Sequence, residues 1–167
     1  VIDLNSGVYL DQNLPMTEPT DFCTGVAGYP EKHIEAPNAE SDLTYLKAKV
    51  DAGAEYIVTQ MFFDNSKFFR FVEACREIGI TVPIIPGLKP ISIKKHLNLL
   101  PQSFKVDIPP ALSKELVRCE TNEAVRQVGI EWSIQQAHEL IHSGVSMIHF
   151  FTMGRTDNIR KIVSSIF

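Results

Sequence analysis

Short apolar runs alternate with amphipathic stretches along the chain from about residue 21 onward. The apolar runs at 22–29, 56–63, 82–88 and 145–153 predict four strands. The run at 56–63 (YIVTQMFF) is apolar almost throughout, which is typical of a strand buried on both faces in a parallel sheet. Because each run is followed by apolar residues at helical spacing, the pattern predicts an α/β fold of about four βα units.

The helices are predicted from their caps, stops and apolar faces. Their predicted positions are from Asn38 to Gly53, about 66–78 after Asp64 or Asn65, about 92–99, a short helix after Pro109 and Pro110, a long helix from Thr121 or Asn122 to about His142, and a final helix capped by Thr156. Their predicted buried residues are Leu43, Leu46 and Val50, then Phe68, Val72, Cys75 and Ile78, then Val125, Val128, Trp132 and Ile141, and last Ile159, Ile162, Val163 and Ile166.

Two prolines interrupt the third predicted strand. Pro83 and Pro86 each remove one ladder hydrogen bond. We therefore expect them at the end of the strand or at a place where its pairing is irregular.

Composition limits the kind of protein. The chain has 167 residues, of which 44% are hydrophobic and 22% charged, which is the composition of a globular domain. Its net charge of −4 indicates that it lacks the basic surface that nucleic-acid binding requires. No apolar run reaches the roughly 20 residues of a membrane helix. The three cysteines are far apart and form no CxxC pair, which favours a reducing, cytoplasmic setting without a disulfide framework, a zinc site or another metal centre. The chain begins at Val1, without an initiator methionine or a signal segment, so we expect it to start within a longer protein.

Two architectures accommodate four βα units: an open doubly wound sheet, or half of a (β/α)₈ barrel. The sequence lacks the Gly-rich turn, GxGxxG or GxxxxGK[ST], of a doubly wound nucleotide fold. It has polar residues near the carboxyl ends of its strands instead, at Tyr29, His33, Gln60, Lys89 and Arg155. Active sites of (β/α)₈ barrels are built at that rim, and a whole barrel needs about 250 residues, so the chain is predicted to be the later half of one.

Four segments of the chain carry a family resemblance. In order, they are GVAGYPEKHIEA (25–36), DLTYLKAKVDAGAEYIVTQMFFD (42–64), PIIPGLKPI (83–91) and HFFTMGR (149–155). Together they resemble the methylenetetrahydrofolate reductase family. The resemblance implies the carboxyl-terminal half of a (β/α)₈ TIM barrel, with residues 22–167 part of a single catalytic domain and residues 1–21 a loop or the remnant of a preceding helix. It implies FAD as cofactor, NADH or NADPH as electron donor, and reduction of 5,10-methylenetetrahydrofolate to 5-methyltetrahydrofolate in one-carbon metabolism. A homo-oligomeric full-length protein in the cytoplasm, with no nucleic acid or membrane partner, is also expected.

The resemblance carries over individual positions. Those implied to contact FAD are Tyr29, His33, Ala36, Asp42, Tyr45 and Lys49. Those implied to contact folate or the nicotinamide donor are Gln60, His96, Phe151 and Arg155, with Leu100 beside them. The chain departs from the family at Phe151, where a Tyr is usual, and at Gly154. The family's general acid, a glutamate, is expected in the missing amino-terminal half, and nothing identifies Glu31, Glu35 or Glu55 as its substitute.

Ordinary structural roles are the alternative for these residues. Tyr29 can be a buried aromatic residue, His33 a surface histidine, Asp42 and Lys49 part of a solvated helix face, and Gln60 a polar group that satisfies neighbouring backbone. Two other functions also stay open: a non-catalytic half barrel that assembles through its open strand edges, and a folate-dependent barrel enzyme without flavin.

Overall fold

The structure is a computed structural model that describes residues 1–11, 13–14, 17–154 and 156–167. Its strands are β1 (Gly25–Gly28), β2 (Tyr56–Met61), β3 (Ile84–Leu88) and β4 (His149–Phe150). Its helices are α1 (Ile2–Asn5), α2 (Ala39–Asp51), α3 (Asn65–Glu77), α4 (His96–Phe104), α5 (Pro110–Arg118), α6 (Asn122–His142) and α7 (Asp157–Ile166).

The four strands form one parallel sheet in the order β1-β2-β3-β4. Gly25 pairs with Tyr56, Ile57 with Ile84, and Gly87 with His149 along the three ladders. Neighbours in sequence are therefore neighbours in space, with helical connections between them. This is the order of consecutive strands in a (β/α)₈ barrel, and it confirms the predicted α/β fold as part of such a barrel.

The pairing of β2 with β3 is irregular at Pro86. The register shifts between the pairs Val58–Ile85 and Met61–Gly87. At the shift, the buried Thr59 hydroxyl Oγ1 accepts a hydrogen bond of 2.9 Å from the Gly87 N–H. The expectation for Pro86 is confirmed, because a side chain replaces the carbonyl that regular pairing would offer.

The helices cover one face of the sheet. Along β2, Ile57, Thr59 and Met61 are buried on the side of the helices. Ile57 packs in a cluster with Leu46 of α2 and with residues of α3. Tyr56, Val58 and Gln60 alternate with these residues and are only half-buried. The sheet is therefore closed on one face, while a cavity lies along the other.

The long helix α6 lies close against the chain that follows β3. A Cβ added at Gly129 would come within 1.9 Å of the Ile91 carbonyl oxygen, so only glycine permits this approach. One turn further on, the Trp132 indole N–H donates a hydrogen bond of 3.0 Å to the carbonyl of Phe63. These contacts fix α6 over the ends of β2 and β3.

The caps are largely as predicted. The side chains of Asn38, Asp64 and Thr121 accept hydrogen bonds from the first turns of α2, α3 and α6. Thr156, however, makes no side-chain cap bond, because its backbone is already helical (φ −104°, ψ −14°).

Several boundaries and faces differ from the prediction. The strands are shorter than the apolar runs. The helix expected at 92–99 begins only at His96, because residues 93–98 first make the tighter i→i+3 bonds. Ile78, at the carboxyl end of α3, is exposed, and Phe71 in the middle of that helix is buried instead. Val163 on α7 is exposed as well.

Candidate functional site at the carboxyl ends of the strands

A cavity of about 320 Å³ lies on the face of the sheet opposite the helices. Its lining residues come from β1, β2 and the chain after β1 and β4, and are Gly25, Val26, Ala27, Tyr29, Tyr56, Val58, Thr59, Gln60 and Phe151. The structure thus brings together three of the predicted site residues, Tyr29, Gln60 and Phe151, which lie far apart in sequence. Most of the other lining is apolar, and small residues on β1 leave room above the sheet.

Gln60 is the polar residue of β2 in this cavity. Its side-chain oxygen accepts a hydrogen bond of 2.9 Å from the backbone N–H of Met61. The amide group retains two N–H donors, which suits recognition of a ring edge that carries acceptors. The alternative role, a polar group that satisfies neighbouring backbone, is thus partly met as well.

Tyr29 and His33 lie together in the turn after β1. Their ring centroids are 4.6 Å apart at an interplanar angle of 74°, an edge-to-face contact. Burial, the Asp42 carboxylate and the Glu35 carboxylate all raise the pKa of the Tyr29 phenol, so its hydroxyl stays protonated and able to donate. Tyr29 is thus a lining residue of the cavity that keeps its hydroxyl proton.

Asp42 in the first turn of α2 fixes this turn. Its Oδ2 atom accepts a hydrogen bond of 2.9 Å from the backbone N–H of His33. The turn also contains Lys32 in a left-handed conformation (φ +76°), and the Lys32 ammonium donates to the carbonyls of His33 and Ala36. A non-glycine residue at positive φ is uncommon and needs such local bonds to persist.

Tyr45 and Lys49 are the two remaining predicted cofactor contacts on α2. The Tyr45 side chain is 64% exposed, and Lys49 is exposed too. Lys49 lies two helical turns from Asp42, which is roughly 10 Å along the helix. The structure therefore groups Tyr29, His33, Ala36 and Asp42 in one place and leaves these two on the open surface of the same helix.

His96 and Lys89 meet near the end of β3. The Lys89 side chain is 8% exposed, and burial lowers the pKa of its amine. Burial also lowers the pKa of His96, and the charge of Lys89 lowers it further, so the imidazole is held neutral. Its Nδ1 atom accepts a hydrogen bond of 3.3 Å from the Ser92 N–H. Leu100, by contrast, is buried in the core with Met61 and Phe63.

Phe151 follows β4 and covers the sheet at Gly87. A Cβ added at Gly87 would come within 2.6 Å of the Phe151 ring, so the aromatic ring lies directly on the glycine. The His149 ring contacts Phe151 edge to face, with centroids 4.6 Å apart. Arg155, the fourth predicted substrate contact, lies outside the described residues.

One ionic cluster at this rim was not predicted. Lys67 bridges the carboxylates of Glu31 and Asp107, with 2.5 Å from Nζ to an oxygen of each. Glu31 stood in the GYPEKH motif, but its partners lie 36 and 76 residues away. No sequence spacing signals pairs so distant.

Within the described residues, no group of His, Cys, Asp and Glu is arranged to hold a metal ion. None of their helices is long and apolar enough to cross a membrane.

A parallel sheet of consecutive strands, with helices on one face and a largely apolar cavity on the other, defines the class: part of a (β/α)₈ barrel. The sequence profile of the methylenetetrahydrofolate reductase family matches residues 12–166. The chain belongs to the methylenetetrahydrofolate reductase family.

Relatives from animals, plants and bacteria agree with this assignment. The probable methylenetetrahydrofolate reductase (NADPH) of Caenorhabditis elegans is 41% identical over 147 residues, which are 87% of this chain and 22% of that protein. The methylenetetrahydrofolate reductase (NADH) 1 of Zea mays is 41% identical over 142 residues, 79% of this chain and 24% of that protein. The 5,10-methylenetetrahydrofolate reductase of Salmonella typhimurium is 38% identical over 143 residues, 85% of this chain and 48% of that protein. The chain thus spans between about a fifth and a half of these relatives.

A solved structure has the same fold. A Clostridium thermocellum protein, described as binding two copies of 5-methyl-5,6,7,8-tetrahydrofolic acid, superposes with a TM-score of 0.60. It is 20% identical, and the match covers 84% of this chain and 51% of that one. The likeness supports the barrel architecture.

Proposed function

We propose that this chain provides the carboxyl-terminal half of the active site of an FAD-dependent enzyme that reduces 5,10-methylenetetrahydrofolate to 5-methyltetrahydrofolate with NADH or NADPH. The proposal places the enzyme in the cytoplasm, as a homo-oligomer in its full-length form. The observation that carries it is that Tyr29, Gln60 and Phe151, each near or just beyond the carboxyl end of its strand, line one cavity. In a chain of this family, that grouping is what a shared site for cofactor and substrate requires.

The cavity has the volume of a small ligand site. Its volume of about 320 Å³ is at the lower end of ligand sites, which run from roughly 300 to 1,000 Å³. Gly25 and Ala27 form its floor on β1, and a Cβ at Gly25 would come within 2.2 Å of the Tyr56 ring. Glycine at this position therefore lets the Tyr56 ring lie against β1 on this face of the sheet.

We assign the cofactor contacts to the turn after β1 and the start of α2. Tyr29, His33, Ala36 and Asp42 would hold the flavin nucleotide, with Tyr45 and Lys49 further along the helix at its polar end. The phenol of Tyr29 donates a hydrogen bond, and the imidazole of His33 is available to phosphate or ribose oxygens. When bound, FAD supplies a two-electron carrier between the nicotinamide donor and the folate.

We assign the substrate contacts to Gln60, His96, Phe151 and Arg155. The Gln60 amide can pair with an edge that offers both a donor and an acceptor, as a pterin does. The Phe151 ring can pack against a flat ligand. The Nδ1 atom of His96 already accepts from the Ser92 N–H, so Nε2–H is the group left to donate to a ligand. A phenylalanine at 151 supplies no hydroxyl, so whatever this position contributes comes from packing.

The direct test expresses the complete reading frame that encodes this chain. We expect the purified protein to carry flavin, seen in its visible absorbance, and to oxidise NADH or NADPH when methylenetetrahydrofolate accepts the electrons. Residues 1–167 expressed alone should bind FAD much more weakly, because contacts from only part of the rim position the cofactor. A colourless complete protein that binds a reduced folate would support the flavin-free barrel enzyme instead, and one that binds neither ligand would overturn both.

A further inference from the structure

Lys67, in the first turn of α3, joins two segments that are distant in sequence. Its ammonium lies 2.5 Å from Glu31 Oε2 and 2.5 Å from Asp107 Oδ2. The same Glu31 oxygen accepts a hydrogen bond of 3.0 Å from the backbone N–H of Asp107. Glu31 belongs to the turn after β1, between Tyr29 and His33, whereas Asp107 belongs to the loop between α4 and α5. We call these three residues the Lys67 clamp.

Two of the three clamp residues, Lys67 and Asp107, lie in well-anchored parts of the chain. Lys67 projects from α3, whose start is capped by the Asp64 side chain. Beside Asp107, Val106 is 2% exposed and packs in the core with Leu112 and Leu116. The turn after β1 leaves the sheet at Gly28, and the clamp holds it at Glu31 while Asp42 holds it at His33.

The two ion pairs of the clamp are unequal. The Glu31 side chain is 9% exposed, whereas that of Asp107 is 80% exposed. Water screens the exposed pair, so Lys67–Asp107 adds little, whereas an unpaired buried carboxylate is costly. Glu31 Oε1 is buried without a hydrogen-bond partner in the described residues, so Oε2 and its two donors hold this carboxylate. Burial raises the pKa of Glu31, while the bonds from Lys67 and the Asp107 N–H oppose that rise.

The clamp also separates two cavities. Lys67 and Asp107 line one of about 380 Å³ together with Tyr29 and Asp42, and another of about 560 Å³ together with residues of α4 and α5. Without the clamp, nothing of comparable strength among the described residues joins the turn to the loop across this gap. Asp42 holds the turn to α2 at His33, and the clamp holds it to α3 and to the loop at Glu31.

We propose that Lys67 is a positioning residue that fixes, through Glu31, the turn that presents Tyr29 and His33 to the cofactor. This inference rests on the proposed function, since it assigns the turn to FAD. Lys67 acts through Glu31, without touching the cofactor itself. It lowers the cost of binding by holding the turn in its bound conformation beforehand.

The test uses the complete reading frame and four variants: Lys67→Met, Glu31→Gln, Lys67→Arg and the control Lys47→Met. Lys47 makes a comparable ion pair with Asp51 on the open surface of α2. We expect Lys67→Met and Glu31→Gln each to raise the Kd of FAD about tenfold, equivalent to about 1.4 kcal/mol. The double variant Lys67→Met/Glu31→Gln should bind FAD no more weakly than either single variant, because both changes remove the same ion pair. Lys67→Arg should restore most of the affinity, and Lys47→Met should leave it unchanged.

Two measurements separate positioning from general stability. The Kd of FAD is compared with the thermal midpoint of the apoprotein, because a merely structural role would lower the midpoint and leave the Kd of the folded protein as it was. Glu31→Gln keeps the side-chain size and the bond from the Asp107 N–H, so it carries the test even if Lys67→Met does not fold. A Kd within about twofold of wild type in Glu31→Gln would overturn the inference. If the wild-type protein bound no flavin, the proposed function would fall first, and the inference with it.

Discussion

The carboxylate of Asp42 and the backbone N–H of His33 are joined by a hydrogen bond of 2.9 Å. It connects the first turn of α2 to the turn after β1, across nine residues. Asp42 also lies at the positive end of the α2 dipole, where a carboxylate is favourable. One side chain thus stabilises the amino-terminal end of α2 and holds the turn that carries Tyr29 and His33.

Replacing Asp42 should therefore affect both folding and ligand binding. We expect Asp42→Ala to lower the free energy of unfolding by about 1.5 kcal/mol, the value of a hydrogen bond to a charged group. Asp42→Asn keeps an acceptor for the His33 N–H and should lose less. Urea denaturation measures both, with Asp51→Ala as the control, because Asp51 is in an exposed pair on the same helix. Equal losses in Asp42→Ala and Asp51→Ala would contradict the assigned role.

Thr59 provides a second test, at the irregular pairing of β2 with β3. Thr59→Val keeps the shape of the buried side chain but removes the acceptor for the Gly87 N–H. Leaving a buried donor unpaired costs about 1–3 kcal/mol, so we expect a loss of that size in the free energy of unfolding. Thr44→Val on the exposed face of α2 is the matched control, and it should change stability little. A negligible effect of Thr59→Val would mean that Gly87 finds another acceptor.

The sequence predicted the elements better than their ends. Four apolar runs became four parallel strands, and the caps at Asn38 and Asp64 formed as expected, because both features depend on residues close together in the chain. The strand β4 shrank to His149–Phe150, because pairing depends on the partner strand and not on apolar character.

The candidate site shows the same division. The motif GYPEKH pointed to Tyr29 and His33, and the structure places Tyr29 in the lining of the cavity with the His33 ring against it. It gave no sign of the Lys67 clamp, because the three residues that form it come from different segments. The sequence also did not show that Leu100 is a core residue, since its spacing on α4 fits a ligand contact and a buried residue equally well.

Gln60 links the structure to activity. Gln60→Leu keeps much of the side-chain volume but removes the amide, so packing in the cavity is preserved and polar recognition is lost. In the complete protein we expect kcat/KM for the folate to fall at least about tenfold, since each 1.4 kcal/mol of lost stabilisation is a factor of about ten. Gln135→Leu, an exposed glutamine on α6, is the control. Unchanged kcat/KM in Gln60→Leu would remove Gln60 from the substrate site and leave it a backbone-satisfying residue of β2.

The buried thiol of Cys75 predicts a loss of stability in alkali. Burial raises its pKa from 9.0 to about 11, mainly because the thiolate is poorly solvated against Ile57 and Phe71. The folded state disfavours the thiolate. The contribution of Cys75 to the free energy of unfolding is therefore fully present below the pKa of the thiol in the unfolded chain, and it is lost as the pH rises through the pKa of the thiol in the folded protein. Between about pH 8 and about pH 10 the loss amounts to about 1.3 kcal/mol.

Cys75→Ala isolates this effect, because it removes the thiol and leaves every other titrating group in place. The variant will be less stable at all pH values, since it opens a small cavity. Its free energy of unfolding should nevertheless fall less steeply than that of the wild type between those two pH values, as urea denaturation can measure. Alkylation gives an independent check at neutral pH, where the exposed Cys23 should react and Cys75 should stay protected until the protein unfolds. Parallel pH curves for the wild type and Cys75→Ala would show that the thiol ionises in the folded state as readily as in the unfolded one.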